Sequence, residues 1–151
     1  MSGRLVRFWG RKNKYIYQDL ISESLGKILY QESPFAVFVV AQTPDGAYAA
    51  TTRPADRGEA GRIGLPGGKV DPGEDPVEAA YREAREEGWE IDSIDPKPFQ
   101  DEVYNGKLIL WFKGHKAKML RNYKEQGRIE PVAVSREQIL QSGYGNYKLK
   151  I

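Results

Sequence analysis

The chain has 151 residues, 40% of them hydrophobic and 29% charged, with a formal net charge of +2 and no cysteine. That size and balance suit one compact domain with its own core and argue against a disordered or fibrous chain. Disulfides and thiolate metal sites are excluded, and the longest apolar run, Phe35 to Ala41, is far too short to span a bilayer.

The N-terminus, "MSGRLVRFWGRKNK", threads charges through its length and has no apolar h-region. No secretory signal is therefore expected, and the expectation is a cytoplasmic protein with no membrane partner. "RLVRFW" and "KYIYQ" alternate as strands do, whereas Ile21, Leu25, Ile28 and Leu29 have a helical spacing that Gly26 weakens. Residues 1–31 read as an N-terminal extension without a clear structural type, and the whole of 1–151 as a single domain.

From there the signals sharpen. "FAVFVVAQ" is β-branched and aromatic, as a buried strand should be, and "AYAATT" follows it after the turn "TPDG". Farther along, "PFQDEVY" and "KLILWFKGHKAK" flank Asn105-Gly106 and predict a hairpin. "PVAVS" is a short strand, and Ser135 with Gln138 forms a capping box for a last helix over "REQILQS". Strands on both sides of a helix indicate an α/β domain with a mixed sheet.

That central helix carries the chemistry. Asp75 can cap it, Pro76 suits its first turn, and it should run to about Glu87. Val77, Ala80, Tyr81 and Ala84 fall at i, i+3, i+4 and i+7 and are expected to form its buried stripe. At ~100° per residue, Glu83, Glu86 and Glu87 cluster roughly 120° from the centre of that stripe, beside the core edge rather than on the far solvated face. Each like-charge pair costs the helix about 0.2–0.5 kcal/mol, which Arg82 offsets in part. A divalent cation would offset far more, because clustered carboxylates are the hard oxygen ligands that Mg²⁺ and Mn²⁺ prefer. Ahead of the helix, "LPGGKVDPGE" packs three glycines and two prolines into one tight loop. Gly67 and Gly68 let backbone approach a ligand closely, and Pro72-Gly73 turns Glu74 back toward the helix.

Loop and helix together resemble the Nudix hydrolase family, whose signature is G-x5-E-x7-R-E-U-x-E-E-x-G-U. Gly68 is followed by five residues and Glu74, then by seven and Arg82-Glu83, then Ala84, Arg85 and Glu86-Glu87. After Glu87 the family has x-Gly, whereas this chain has Gly88-Trp89. Either the helix ends a residue sooner with Gly88 as its left-handed cap, or Trp89 takes a strained backbone. The resemblance implies an α/β/α sandwich with a mixed sheet and a loop–helix–loop motif. It implies a Mg²⁺-dependent enzyme, with Mn²⁺ as substitute, in which water attacks one phosphorus of a pyrophosphate. Glu83, Glu86 and Glu87 become the metal-binding, catalytic carboxylates, Arg82 and Glu74 brace loop against helix, and Glu74 or a Gly67 or Gly68 carbonyl adds a ligand. The general base varies in this family: it lies on the signature helix or in a loop before the last strand, where "KEQGRIEPVAV" offers Glu125, preferred here, and Glu130.

Arg53, Arg62 and Lys69 are the candidate phosphate contacts, and Tyr104, Trp111 or Tyr123 could stack on a base. His115 has no partner pattern and is expected to be structural or exposed. The implied substrates are nucleoside diphosphates linked to another moiety, such as ADP-ribose, a nucleotide sugar, a dinucleotide cofactor (FAD or NADH) or a diadenosine polyphosphate. The products would be a nucleoside monophosphate and a phosphorylated remainder. The alternatives are a nucleoside triphosphate or an RNA 5′ end, for which the basic segment Lys113 to Arg128 would serve, and a non-catalytic nucleotide-binding module. The N-terminal segment is a candidate contact for a homodimer.

Overall fold

The apolar run at Phe35 forms a strand with two covered faces: Val37, Val39 and Ala41 join one core cluster, while Phe38 and Val40 join another. A strand buried on both sides belongs in the middle of layers, and the other elements are arranged around it. The structure, a computed structural model, describes residues 3–7, 15–19, 29–32, 34–52, 62–120, 129–141 and 149–151.

Strands β1 (Gly3–Arg7), β2 (Tyr15–Asp19) and β3 (Leu29–Glu32) pair antiparallel in sequence order. Then come β4 (Ala36–Ala41), β5 (Tyr48–Thr52), β6 (Ile63–Gly64), β7 (Gly67–Lys69), α1 (Pro76–Glu86) and β8 (Trp89–Ile94). The chain finishes with β9 (Gln100–Tyr104), β10 (Lys107–Met119), β11 (Glu130–Val134) and α2 (Arg136–Gln141). The central sheet has the order β7-β4-β10-β8, with β9 also paired to β10. It is mixed, because β4 and β10 run parallel while the other pairs are antiparallel. A smaller sheet has the order β11-β5-β6.

One core lies between α1 and the central sheet: Ala79, Ala80 and Ala84 of α1 meet Val37, Val39, Leu108, Leu110, Phe112, Trp89 and Ile91. The other lies behind that sheet, where Val40 and Trp111 meet Ala50, Leu65, Val134 and Ile139 of α2. The α/β/α sandwich is thus present, with α1 on one side and the small sheet with α2 on the other. The local punctuation follows the residues. Asn105 and Gly106 both have positive φ, +51° and +73°, as the two-residue hairpin turn requires. The Ser135 hydroxyl accepts from the Gln138 amide at 3.2 Å, and Gln138 Oε1 accepts from the Ser135 amide at 2.9 Å, completing the capping box.

Three features depart from the expectations. Strand β8, with Trp89 and Ile91 inward and Glu90 and Asp92 outward, alternates in the sequence but is overshadowed there by the helix before it. Tyr81 is not in the buried stripe of α1; Ala79 is, fully buried, and Tyr81 is exposed. Its hydroxyl instead accepts the Ile94 amide of β8 at 2.7 Å. Within β10, Lys116 has φ +55°. Leu108, Leu110 and Phe112 face α1, and so does Ala117, so the alternation reverses across Lys116. Among the described residues, no helix is long and apolar enough to cross a membrane.

Candidate functional site

The loop before α1 is a chain of fixed short-range choices. Asp71-Pro72-Gly73-Glu74 closes a turn in which the Glu74 amide donates to the Asp71 carbonyl at 3.0 Å and Gly73 takes φ +78°. Glu74 Oε1 accepts the Asp71 amide in return, also at 3.0 Å. Asp75 then caps α1, its Oδ1 accepting the Val77 amide at 2.8 Å, with Pro76 behind it as the first helical residue.

Glycine is required twice. A Cβ on Gly67 would collide with the Val37 carbonyl oxygen of the neighbouring strand. One on Gly68 would lie 2.5 Å from Glu83 Oε2 and 2.6 Å from its Cδ. The Glu83 carboxylate therefore rests directly on the Gly68 backbone.

Arg82 ties this loop to the helix with almost every donor it has. Nε donates to Glu74 Oε2 at 2.8 Å and Nη2 to Glu74 Oε1 at 3.0 Å, a fork-to-fork pair. Nη2 also reaches the Lys69 carbonyl at 3.1 Å and lies 3.6 Å from Asp71 Oδ2. Nη1 donates to Glu83 Oε1 at 3.0 Å and faces both Glu86 oxygens at 3.3 Å. The resulting electrostatics differ between the Glu83 and Glu74 carboxylates. Burial pushes the Glu83 carboxyl up, against the pull of Arg82, with Glu86 and Asp71 adding to the rise. Hydrogen bonds from Arg82 hold Glu74 below its ordinary range. Glu74 above all keeps the Arg82 guanidinium firmly charged.

Glu87 lies one residue past the helix as its C-cap and is buried, 7% exposed. Gly88 has φ +96°, so it is the left-handed residue that ends α1, and Trp89 begins β8. Of the two endings open in the sequence, the early cap is the one adopted.

Loop and helix thus bring together Gly68, Glu74, Arg82, Glu83 and Glu86, with Glu87 buried at the helix end. Lys69 contributes its carbonyl, while its ammonium lies 5.6 Å from the centre of the Phe35 ring, beside Lys107 at 4.3 Å. Arg62 stands half-buried just ahead of β6, and Glu130 opens β11 opposite Thr52. Arg53, Glu125 and Tyr123 lie outside the described residues. Trp111 is buried and stacks on Phe38, 5.9 Å between ring centres, so it is core; Tyr104 is exposed at the hairpin. His115 has a partner the sequence did not announce, Asp95 Oδ1 at 2.9 Å from Nε2. Asp71 and the Lys69 carbonyl were also missed as contacts of Arg82; the Asp-Pro-Gly turn was the available signal.

Among the described residues, no group of three or more Asp, Glu or His side chains stands together as a ready cation cage. Glu83 and Glu86 are both turned to Nη1 of Arg82 instead. One positive nitrogen is addressed by both carboxylates at 3.0 and 3.3 Å, so the two can share a single cationic point. Hard oxygen donors so placed suit a divalent cation.

The NUDIX domain family model matches residues 32–140. The chain belongs to the Nudix family. Solved structures agree in fold. A MutT described from Aliivibrio salmonicida and Vibrio cholerae is 20% identical, with a TM-score of 0.57 over 73% of this chain and 86% of that one. A protein described as an ADP compounds hydrolase is 17% identical, with a TM-score of 0.53 over 89% of this chain and 79% of its own. A MutT NUDIX hydrolase from Burkholderia pseudomallei is 28% identical, with a TM-score of 0.51 over 70% of this chain and 86% of its own. No curated protein matches the chain. The protein is a Nudix hydrolase, and the Gly68–Glu87 loop and helix are its Nudix motif.

Proposed function

We propose that this Nudix hydrolase is a Mg²⁺-dependent pyrophosphohydrolase, with Mn²⁺ as substitute. It would cleave nucleoside diphosphates linked to another moiety into a nucleoside monophosphate and a phosphorylated remainder. The observation that carries the proposal is the Glu83 carboxylate, seated on Gly68 and held beside Glu86 by one nitrogen of Arg82. Glu83, Glu86 and Glu87 would hold the cation, with Glu74 or a Gly67 or Gly68 carbonyl as further oxygen donors. When bound, a divalent cation neutralises charge on the phosphates and makes water a better nucleophile.

The chain's own groups supply the rest. Arg82 and Glu74 keep the loop and helix in register through their paired hydrogen bonds. Gly68 leaves room for Glu83, and burial keeps that carboxylate poorly hydrated, which favours a cation beside it. Arg53, Arg62 and Lys69 are assigned to the substrate phosphates, Lys69 by swinging its side chain away from Phe35. Glu125, or Glu130 at the start of β11, is assigned to take the proton from water.

The test is a panel: ADP-ribose, nucleotide sugars, dinucleotides, diadenosine polyphosphates, nucleoside triphosphates and capped RNA, each with Mg²⁺ or Mn²⁺ and with chelator. An ADP compounds hydrolase shares this fold along 89% of the chain, so ADP-linked compounds head the panel. AMP from ADP-ribose, lost with chelator and in Glu86→Gln, is the expected result. Pyrophosphate from triphosphates, or decapped RNA, replaces the proposed substrate class. Nucleotide binding without turnover in either protein overturns the catalytic proposal. Sedimentation of the full chain tests a homodimer through the N-terminal segment, and fractionation of cells tests the cytoplasmic location.

A further inference from the structure

Arg82 gathers Glu83 and Glu86 from within the helix, but Glu87 lies beyond the last helical residue. Its amide still donates to the Glu83 and Ala84 carbonyls at 3.1 and 3.2 Å, so its N-terminal side follows the helix, while its C-terminal side is set by whatever holds residues 88 and 89. The Gly88 carbonyl accepts the Leu120 amide at 2.8 Å and Trp89 pairs with Met119 of β10, and both residues also pack onto the small sheet. Gly88 is flush against β11: a Cβ there would fall 2.7 Å from Pro131 Cγ. Trp89 is 1% exposed, and its Nε1 donates to the Ala50 carbonyl of β5 at 2.8 Å. Between cap and strand there is one residue, so the turn has almost no slack.

We propose that Trp89 is a positioning residue for the Glu87 carboxylate, its indole fixing where α1 ends relative to β5 and β11. This is the position at which the family motif carries glycine, which has no side chain to make such a tie. The inference rests on the cation-holding role proposed above for Glu87. An indole is the side chain that offers both the buried area and a donor for that carbonyl. Phenylalanine keeps an aromatic ring and leaves the Ala50 oxygen buried without its partner. Trp89 would then act through the backbone of Glu87 and Gly88, touching neither cation nor substrate.

The experiment is calorimetric titration of Mn²⁺ into the substrate-free full chain, as a double-mutant cycle of Trp89→Phe and Glu87→Gln. Supporting residues around a metal site typically change affinity by roughly 10–100-fold. The expected result lies at the low end, with Trp89→Phe binding Mn²⁺ about tenfold more weakly than wild type. In the Glu87→Gln background the same change has no further effect. Ile139→Val, a core truncation on α2, lowers the unfolding midpoint without altering Mn²⁺ affinity and controls for lost stability. Mn²⁺ affinity unchanged by Trp89→Phe, or weakened equally in the Glu87→Gln background or by Ile139→Val, overturns the inference. A wild-type chain that takes up no Mn²⁺ overturns the site's proposed role as well, which separates the two failures.

Discussion

Gly68 and Glu83 are in contact across the loop–helix boundary, with the carboxylate carbon of one only 2.6 Å from where the other would carry a Cβ. The contact predicts the effect of one methyl group. Gly68→Ala drives Glu83 off its seat, and misplacement of about 1 Å at a reacting centre costs roughly 10²-fold in rate. The added methyl meets the far end of a flexible side chain, so the loss of stability is small beside the loss of rate. Steady-state hydrolysis and urea unfolding of the same preparation read both. An alanine variant with wild-type turnover would show that the reaction does not depend on the seat of Glu83 on Gly68.

Arg82→Lys keeps the charge and removes the fork. A lysine has one nitrogen, so it cannot serve Glu74, the Lys69 carbonyl and Glu83 together. About 2 kcal/mol of stability should go with the lost charge-assisted bonds. The midpoint of urea unfolding checks this, and a midpoint equal to wild type would reduce the cluster to an exposed surface pairing.

Glu74 sets an acid limb. Its carboxyl is lowered from an ordinary value of 4.5 by the Arg82 hydrogen bonds. An acid whose pKa falls on folding holds its proton less readily when folded. Its stabilisation is therefore full above about pH 4.5 and is lost as pH drops through the lowered value. Stability of wild type and Glu74→Gln measured from pH 7 to 3 should converge toward the acid end. A constant gap between the two curves would contradict the assignment.

Lys116 should be improvable. It is exposed, and its φ of +55° lies in the left-handed region that costs a side chain roughly 1–2 kcal/mol. Glycine has no such cost, so Lys116→Gly should stabilise the fold by about 1 kcal/mol, less its greater freedom when unfolded. Thermal unfolding decides it; a clear loss of stability would mean that the lysine side chain makes a contact worth more than the strain.

What could be seen in the sequence was local. The Asn105-Gly106 turn, the Asp75 cap, the Ser135–Gln138 box and the spacing from Gly68 to Glu87 are each written in a few adjacent residues. Their outcomes follow from short-range chemistry, so the motif and the fold class were legible. What was hidden depends on distant partners. Nothing near Tyr81 says that it will reach the Ile94 amide, and nothing near Trp89 names the Ala50 carbonyl, 39 positions away. The reversal at Lys116 is likewise a property of how β10 meets β8 and β4. The ending of α1 was ambiguous for a related reason: Gly88 and Trp89 allowed two caps, and the fit of Gly88 against Pro131 selected one.

The two strands that flank α1 in the chain, β7 and β8, occupy opposite margins of the central sheet. The helix is therefore a crossbeam spanning three inter-strand gaps, about 14 Å at roughly 4.8 Å each. Its 11 residues cover about 16 Å at ~1.5 Å per residue. Beam and span are matched, so an added or deleted turn would unseat one end. Insertions that broaden what the enzyme recognises have to fall elsewhere, and divergence can reshape the rim while this gauge stays constant.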